Sequence, residues 1–355
     1  MSKVIDRFGE AAVDPAAWPA IMDDICRAVG ASAAVLLQSD VRTPDVPRTQ
    51  SMDEGTQLYF KEGWHLSDPR AAGFPRMMSG EIVTDHDILT PEQIRSDPMY
   101  NEVLYPFGLQ WFAGVGFWAG SAAWALAIQR TGHEGPFEAG DKRLLARLAP
   151  RLTETATLST AVGRVALTSM TDVLGRVRQA ALVIDRRGMV LSTNAAADAG
   201  FDEEIRIRDR QLFLRDKKAA AELDQLIDII RSTPDTAALP AAPMVVRRTA
   251  KPPVVIRVLP VDGAACSVFL GARMMLVLSN LTPRTLEPAL ISQVFDLTSA
   301  ESRLVSLLAS GRSLDEAAQQ LRIARETARN QLKSAFSKTG THRQAELVSL
   351  VSQLA

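Results

Sequence analysis

The sequence predicts a multidomain protein in which two α+β domains precede a C-terminal all-α domain of four helices. The chain has 355 residues, whereas a typical domain has about 100–200. Hydrophobic residues make up 46% and charged residues 23%, a balance typical of folded globular domains. Helical leucine spacing dominates the C-terminal end, and apolar runs suited to strands occur in both earlier regions. The predicted domains are residues 1–160, 161–285 and 290–355.

Charged residues nearly balance, with 40 Lys and Arg against 41 Asp and Glu and a net charge of −1. This balance excludes a uniformly basic surface but allows a local basic patch. Cys26 and Cys266 are far apart, so they form neither a disulfide framework nor a zinc motif, as expected in a reducing compartment. The N-terminus lacks an apolar signal segment, and the apolar run 111–128 contains glycines. We therefore expect a cytoplasmic protein with no membrane partner.

The C-terminal region predicts four short helices. Thr298 with Glu301, and Ser313 with Glu316, have the spacing of capping boxes and begin the first two helices. Gly340 is a typical residue for the end of the third helix. The third and fourth helices are predicted over residues 325–338 and 342–354.

The third of these helices lies in a basic segment. Six basic residues and one acidic residue occur between positions 322 and 343, so the segment has a net charge of +5. Two short helices with a tight turn, followed by a basic helix, form a helix-turn-helix pattern. A basic helix on an otherwise acidic protein is typical of a sequence-specific DNA reader. The basic residues are Arg322, Arg325, Arg329, Lys333, Lys338 and Arg343.

The segment resembles the C-terminal DNA-binding domain of LuxR-type (LuxR/FixJ) transcriptional regulators. Ala324 departs from the family pattern, which has a helix-capping Ser there, and the missing cap weakens the helix start by about 1 kcal/mol. The resemblance implies that the fourth helix mediates homodimer formation by the DNA-binding domains. The homodimer would then bind an inverted repeat in double-stranded DNA. The alternative role of that helix is packing on the first helix. The residues in register are Leu297, Thr298, Glu301, Leu307, Leu308, Gly311, Ala317, Leu321, Thr327, Arg329, Leu332, Lys338, Gly340, Arg343, Glu346 and Leu347.

The candidate DNA contacts are the residues of the third helix left outside its apolar face. Arginine pairs with guanine and asparagine with adenine, whereas lysine and threonine also bind phosphates. The alternative is a solvated charged face on an ordinary helix. The candidates are Arg325, Glu326, Thr327, Arg329, Asn330, Lys333 and Lys338.

The middle of the chain, about residues 176–281, predicts a strand, a turn, a second strand and a helix that begins at Asn194. Two further strands follow after residue 253. This order, with Asp185, Gly188 and Asn194 at the expected spacing, resembles a PAS-like domain. The Ala- and Pro-rich region 234–253 is predicted to be a surface loop, and residues 283–288 a hinge before the last domain.

The first half of the chain resembles a GAF-like sensor domain. A helix is predicted over residues 18–28, a strand over 33–38, and a strand pair over 111–117 and 123–130. Leucines spaced by four, at positions 144, 148 and 152, indicate a helix that continues toward residue 165 as a connector.

A candidate ligand pocket lies in the first half. In acyl-homoserine-lactone receptors, a Tyr nine residues before an Asp-Pro pair lines the ligand site, and the Asp binds the amide. Tyr59 and Asp68 match this spacing, whereas Gly55 and Val83 stand where those receptors have aromatic residues. Three interpretations remain: a lactone, another small organic effector, or a core without ligand. The predicted ligand-binding residues are Tyr59, Trp64, Asp68, Tyr100, Tyr105 and Trp111.

No catalytic or metal motif is apparent. The four histidines lack metal-ligand spacing, so no metal is expected, and nucleophile-elbow, zinc-protease and phosphate-loop motifs are missing. We therefore expect a regulator and not an enzyme, with a cofactor that the sequence leaves unknown. The alternative is a ligand-independent scaffold whose sensor-like domains only dimerise or bind proteins. A filled first domain, with Trp111 and Trp118 packed inward, would favour that scaffold.

Overall fold

A computed structural model describes residues 4, 6–39, 46–232, 242–280 and 286–354. The chain divides into two compact units, Met1–Ser279 and Asn280–Ala355. The first unit is mixed helix and sheet, and the second is helical. The expectation of a chain with mixed helix and sheet and a helical C-terminal region is confirmed, and the three predicted domain ranges stay a prediction.

The first sheet of unit one contains four antiparallel strands in the order β1-β4-β3-β2. The long strands β3 and β4 form a hairpin whose turn contains Gly120 at φ +61°, in the left-handed region that glycine tolerates. The predicted strand pair is therefore confirmed. The strands are β1 (Ala33–Gln38), β2 (Ile82–Thr84), β3 (Leu109–Ala119) and β4 (Ala122–Thr131).

Helices cover both faces of this sheet and give it two separate cores. One core contains Trp18, Leu126 and Leu148. The other contains Phe60 and Phe112. Side chains of a strand alternate between faces, so neighbouring residues of β3 enter different cores. The helices are α1 (Phe8–Val13), α2 (Trp18–Val29), α3 (Asp53–Lys61), α4 (Phe74–Met78), α5 (Asp85–Ile88), α6 (Pro91–Ser96), α7 (Ala139–Leu145) and α8 (Leu148–Arg176), with 3-10 helices at Pro15–Ala17, Gln50–Met52, Trp64–Leu66, Pro69–Gly73 and Tyr105–Phe107 and a π-helix at Tyr100–Leu104.

A second sheet has the strand order β6-β5-β11-β10-β9, and β7 and β8 form a separate hairpin. Asn194 caps α9, because its side-chain oxygen accepts from the amide of Ala197 at 2.9 Å. The predicted strand–turn–strand–helix order is confirmed. The elements are β5 (Ala180–Asp185), β6 (Val190–Thr193), α9 (Ala195–Gly200), β7 (Ile205–Arg208), β8 (Gln211–Leu214), α10 (Lys217–Ser232), β9 (Met244–Val246), β10 (Val254–Pro260) and β11 (Ala272–Asn280).

The prediction of a surface loop over residues 234–253 needs correction. Residues 234–241 of it lie outside the described part of the chain. The remainder includes β9, which pairs antiparallel with β10 and buries Met244 and Val246. Alternating burial on a sheet edge explains why a short apolar run becomes a strand despite the surrounding prolines.

The helix α8 connects the two sheets within unit one. Leu152 lies in a core of the first sheet, and Leu167 lies in a core of the second. Ser159 on this helix is buried and lies 2.8 Å from the hydroxyl of Ser267. The predicted domain boundary at 160/161 falls inside this helix, so contacts alone do not divide the first unit there.

The second unit contains five α-helices among its described residues, 286–354, one more than predicted. The additional helix, α11, begins with Pro288 and buries Ile291. Pro288 and Leu286, which is buried, belong to the predicted hinge, and hinge residues 283–285 lie outside the described part. Both predicted capping boxes are present. The helices are α11 (Pro288–Phe295), α12 (Ser299–Ala309), α13 (Leu314–Leu321), α14 (Arg325–Thr339) and α15 (Gln344–Val351), followed by a 3-10 helix at Ser352–Leu354.

Within the described ranges, no helix combines the length and apolar character needed to cross a membrane.

Candidate functional site

The basic helix α14 has one buried side and one exposed side. Ala328, Leu332 and Ala335 are buried in the core of the second unit. Because residues three and four apart share a helix face, these three fix which side chains point outward. Gly340 at φ +65° ends the helix. The sequence prediction of this helix is confirmed within one residue.

The seven predicted DNA contacts are all exposed, but they do not share one face. Four of them, Glu326, Arg329, Asn330 and Lys333, lie within an arc of about 100° on the side of α14 away from its buried residues, at ~100° per residue. Arg325 lies on one flank of that arc, and Thr327 and Lys338 lie together on the other. The structure therefore brings together Glu326, Arg329, Asn330 and Lys333.

Lys338 binds a buried carboxylate within the second unit. Its ammonium lies 2.9 Å from an oxygen of Glu301, and the Ser334 hydroxyl donates to the other oxygen at 2.6 Å. The amide of Thr298 also donates to Glu301, at 2.7 Å. Burial alone would raise the pKa of Glu301, but these hydrogen bonds outweigh it and hold the pKa at about 2. Lys338 thus fixes α14 against α12.

Ion pairs on the outward face are exposed. Arg325 lies 2.7 Å from Asp315 on α13, and Arg329 lies 3.1 Å from Glu326. Exposed pairs of this kind contribute about 0–1 kcal/mol, so a guanidinium exchanges such a partner at little cost. At the start of α14, Ala324 forms no side-chain cap, as expected.

Unit one contains two adjoining cavities on one face of its first sheet. The larger has a volume of about 440 Å³ and the smaller about 30 Å³. Both are lined by Tyr59, Arg70 and Ala127, so they meet at these residues. A volume of several hundred Å³ is typical of small-molecule sites.

A buried ion pair between Arg70 and Asp68 lies where the two cavities meet. Arg70 donates to both oxygens of Asp68, with Nη2 and Oδ2 2.8 Å apart, and the Tyr59 hydroxyl donates to the same Oδ2 at 2.8 Å. Burial would raise the pKa of Asp68, but the charge of Arg70 outweighs it and lowers that pKa. Burial, followed by the charge of Asp68, raises the pKa of Tyr59. The Arg70 guanidinium also lies 5.1 Å above the Phe112 ring centroid.

A second buried carboxylate lies in the same core. Asp85 accepts from the Tyr100 hydroxyl and, at 2.5 Å, from the backbone amide of Phe112. Burial raises the pKa of Asp85. Burial, followed by the charge of Asp85, raises the pKa of Tyr100. The Asp85 carboxylate is therefore held by donors from the protein itself.

The predicted ligand-binding residues separate in the structure. Tyr59 and Asp68 line the larger cavity. Tyr100 is buried in the adjoining core, where Trp64 and Tyr105 are half-buried. Trp111 packs with the core on the opposite face of the sheet. Only two of the six predicted residues therefore line the cavities.

The two departures from the lactone-receptor pattern are explained by packing. A Cβ on Gly55 would lie 3.3 Å from the Phe107 ring, so that ring occupies the space of the expected aromatic side chain. Val83 is fully buried in the same core.

Sequence reasoning missed Thr56, Arg70 and Gln129, which line the smaller cavity. One signal was available: Ala125, Ala127 and Gln129 alternate along β4 and so share a face. Small side chains at two of these positions leave room, and a glutamine at the third is polar within an apolar strand. Arg70 follows an Asp-Pro pair, but its fold-back onto Asp68 is a tertiary feature.

In the described part of the chain, no three His, Cys, Asp or Glu side chains group together as a metal site requires.

Comparisons with known proteins identify no family. No protein-family model matches the chain, and no curated protein matches it. A crystal structure of the phage VqmA-DPO complex is 14% identical, covering 54% of this chain and 91% of that chain, with a TM-score of 0.22. The E. coli DhaR(N)-DhaL complex is 11% identical, covering 79% of this chain and 87% of that chain, also with a TM-score of 0.22. TM-scores this low carry no argument about this chain.

Proposed function

We propose that the chain is a DNA-binding transcriptional regulator of the LuxR type whose first unit binds a small organic effector. The observation that carries the proposal is the outward face of α14, where basic and amide side chains project from a helix that follows α13 after a tight turn. The segment around it has a net charge of +5 in a chain of net charge −1. No catalytic step is part of the proposal.

The helix α14 would enter the major groove of DNA. Recognition helices contact base edges through their N-terminal residues. Arg329 would pair with guanine, and Asn330, next to it, with adenine. Thr327 and Lys333 would contact phosphates and fix the orientation of the helix. Lys338, held by Glu301, would act by positioning α14.

Dimer formation is the second part of the proposal. On α15, Leu347 and Val351 are buried in the core of their own unit, whereas Leu350 remains half-buried. Leu350 lies about 60° around the helix axis from Leu347, at ~100° per residue, so packing and dimerisation would use adjacent faces of the helix. A two-fold dimer would read an inverted repeat.

Effector binding is supported over a ligand-free scaffold by the cavity of about 440 Å³. The filled core expected of a scaffold required Trp118 to pack inward, but this side chain is 45% exposed. Because Arg70 and Tyr59 already hold Asp68, the arrangement favours an effector other than an acyl-homoserine lactone. We assign the GAF-like and PAS-like identities to regions 1–160 and 161–285 as part of this proposal.

The effector would act by shifting an equilibrium between arrangements of the chain. It can do so only by its difference in affinity for those arrangements. Native mass spectrometry of the freshly purified chain tests this part. A dimer with additional non-covalent mass supports effector binding, and a bare dimer favours the scaffold.

Selection from a library of random DNA duplexes tests the main proposal. The full chain is expected to enrich one inverted-repeat sequence, and the matched variant Arg329→Ala is expected to lose that enrichment. If no sequence is enriched by the wild-type chain, the proposal is overturned.

A further inference from the structure

Three residues that line the smaller cavity of unit one each carry a buried polar atom without a hydrogen-bond partner among the described residues. These atoms are the Thr56 hydroxyl oxygen, the Arg70 Nη1 and the Gln129 Oε1. The three residues are 3%, 7% and 2% exposed. They come from α3, from the 3-10 helix Pro69–Gly73 and from β4. Three separate elements thus bring residues with unpaired polar atoms to one cavity.

Such atoms are costly in a folded core. A buried donor or acceptor without a partner loses about 1–3 kcal/mol of solvation, and most buried polar groups are paired. Here the unpaired atoms coincide with a cavity, and this cavity adjoins a larger one whose walls include Leu37, Phe74 and Met77. A small polar cavity that adjoins a larger apolar one is typical of a small-molecule binding site.

Charge decides which group fits the polar end. Asp68 and Arg70 compensate each other at 2.8 Å, so an anionic group would gain little from the guanidinium and would be repelled by the carboxylate. Arg70 Nη1 needs an acceptor, whereas Gln129 Oε1 needs a donor. Thr56 can serve as either. A neutral group that carries a carbonyl and an N–H satisfies all three.

We propose that the smaller cavity binds the neutral amide group of a small organic effector, whose apolar remainder occupies the larger cavity. This inference rests on the proposed function, since it names the chemistry of its effector. It assigns recognition to Thr56, Arg70 and Gln129, whereas Tyr59 and Asp68 position Arg70. The competing occupant is a single buried water, which also needs two to four polar partners.

Three six-carbon probes with different head groups test the proposal. Hexanamide is neutral and carries both an acceptor and donors, hexanoate is anionic, and hexylamine is cationic at neutral pH. Hexanamide is expected to raise the Tm of the full chain by ~2 °C at about ten times its Kd. The two charged probes are expected to bind at least ~10-fold more weakly. Equal or tighter binding of hexanoate overturns the proposal, and so does binding of no probe, which leaves water as the occupant.

The variant Thr56→Val locates the site. It keeps the shape of the side chain and removes an unpaired oxygen, so the protein is expected to fold and to lose the hexanamide shift. Thr168→Val, at an exposed position of α8, is the matched control and keeps the shift. If Thr56→Val retains the full shift, the probe binds elsewhere and the proposal is overturned.

Binding to a selected DNA duplex separates this inference from the proposed function. A chain that binds the duplex but no probe overturns the amide site alone. A chain that binds hexanamide through Thr56 but enriches no DNA overturns the regulator and leaves the amide site standing.

Discussion

Arg70 in the first unit and Arg329 in the second each hold a carboxylate at about the same distance. Arg70 lies 2.8 Å from Asp68, and Arg329 lies 3.1 Å from Glu326. Their surroundings are opposite, since the Arg70 side chain is 8% exposed and the Arg329 side chain is 59% exposed. The same contact therefore has two consequences. The buried pair is committed to its partner, whereas the exposed pair is weak and leaves its guanidinium available to a phosphate or a base.

The largest expected effect comes from breaking the buried pair. Arg70→Ala leaves Asp68 charged and uncompensated, which costs about 3–5 kcal/mol of the free energy of unfolding. All five tryptophans lie in the first unit, so tryptophan fluorescence during denaturant unfolding reports this unit. Arg95→Ala removes an exposed ion pair with Glu92 and is expected to cost at most about 1 kcal/mol. Equal losses in both variants would remove the distinction between buried and exposed pairs.

Glu301 is an intermediate case, because its side chain is 9% exposed whereas that of its partner Lys338 is 35% exposed. Glu301→Gln is expected to cost the second unit about 1.5–3 kcal/mol at pH 7, as charge-assisted hydrogen bonds are lost. The pKa of Glu301 is about 2 in the folded state, below the ordinary value of 4.5. Its stabilisation is therefore complete above pH ~4.5 and decreases as the pH falls toward about 2.

Denaturant unfolding followed by far-ultraviolet circular dichroism measures this effect. The difference between wild type and Glu301→Gln should shrink as the pH is lowered from 7 to ~3. The exposed Glu326→Gln is the control and should change little. A difference that persists unchanged at low pH contradicts the assignment of the charged carboxylate to this cluster.

The exposed pair gives a smaller effect on a different quantity. Arg329→Ala is expected to weaken binding of the selected duplex by about 1–3 kcal/mol, which is ~5- to 200-fold in Kd, if Arg329 reads a base. The matched control is Arg151→Ala, which removes an equally exposed arginine paired with Glu154 three residues away in the first unit. Fluorescence anisotropy measures both. An equal loss in the two variants would show that general charge, and not this position, matters.

The smallest expected effect concerns the start of α14. Ala324→Ser supplies the missing cap and is expected to stabilise the second unit by about 1 kcal/mol. Hydrogen exchange of the amides in the first turns of α14 measures it, and slower exchange is expected. The control is Ser337→Ala, at an exposed position inside α14 that does not cap its N-terminus. No change in exchange would mean that the helix start is already satisfied.

The elements that could be predicted from the sequence depend on local signals. Two helix starts are marked by capping boxes of four residues each, Thr298 with Glu301 and Ser313 with Glu316. The end of α14 is marked by Gly340. The exposed face of α14 follows from periodicity alone. The hairpin of β3 and β4 follows from two apolar runs around a glycine.

Features that depend on distant residues could not be predicted in this way. The extra helix α11 forms because Ile291 enters the core of the second unit. The partner of Lys338 is 37 residues away in the chain, so its role as a positioning residue is visible only in the fold. Likewise, Thr56 and Gln129 line the same cavity although they are 73 residues apart in the sequence. Trp111 was separated from the predicted pocket because adjacent strand residues face opposite cores.

The salt dependence of DNA binding tests whether the chain binds a specific DNA sequence through phosphate and base contacts. The full chain is titrated onto the selected duplex and onto a scrambled duplex at increasing salt, and anisotropy gives the Kd at each concentration. We expect log Kd to rise linearly with log salt, because phosphate contacts release counterions, and the scrambled duplex to bind ~10³-fold or more weakly. Equal affinity for the two duplexes, or a Kd independent of salt, would contradict this expectation.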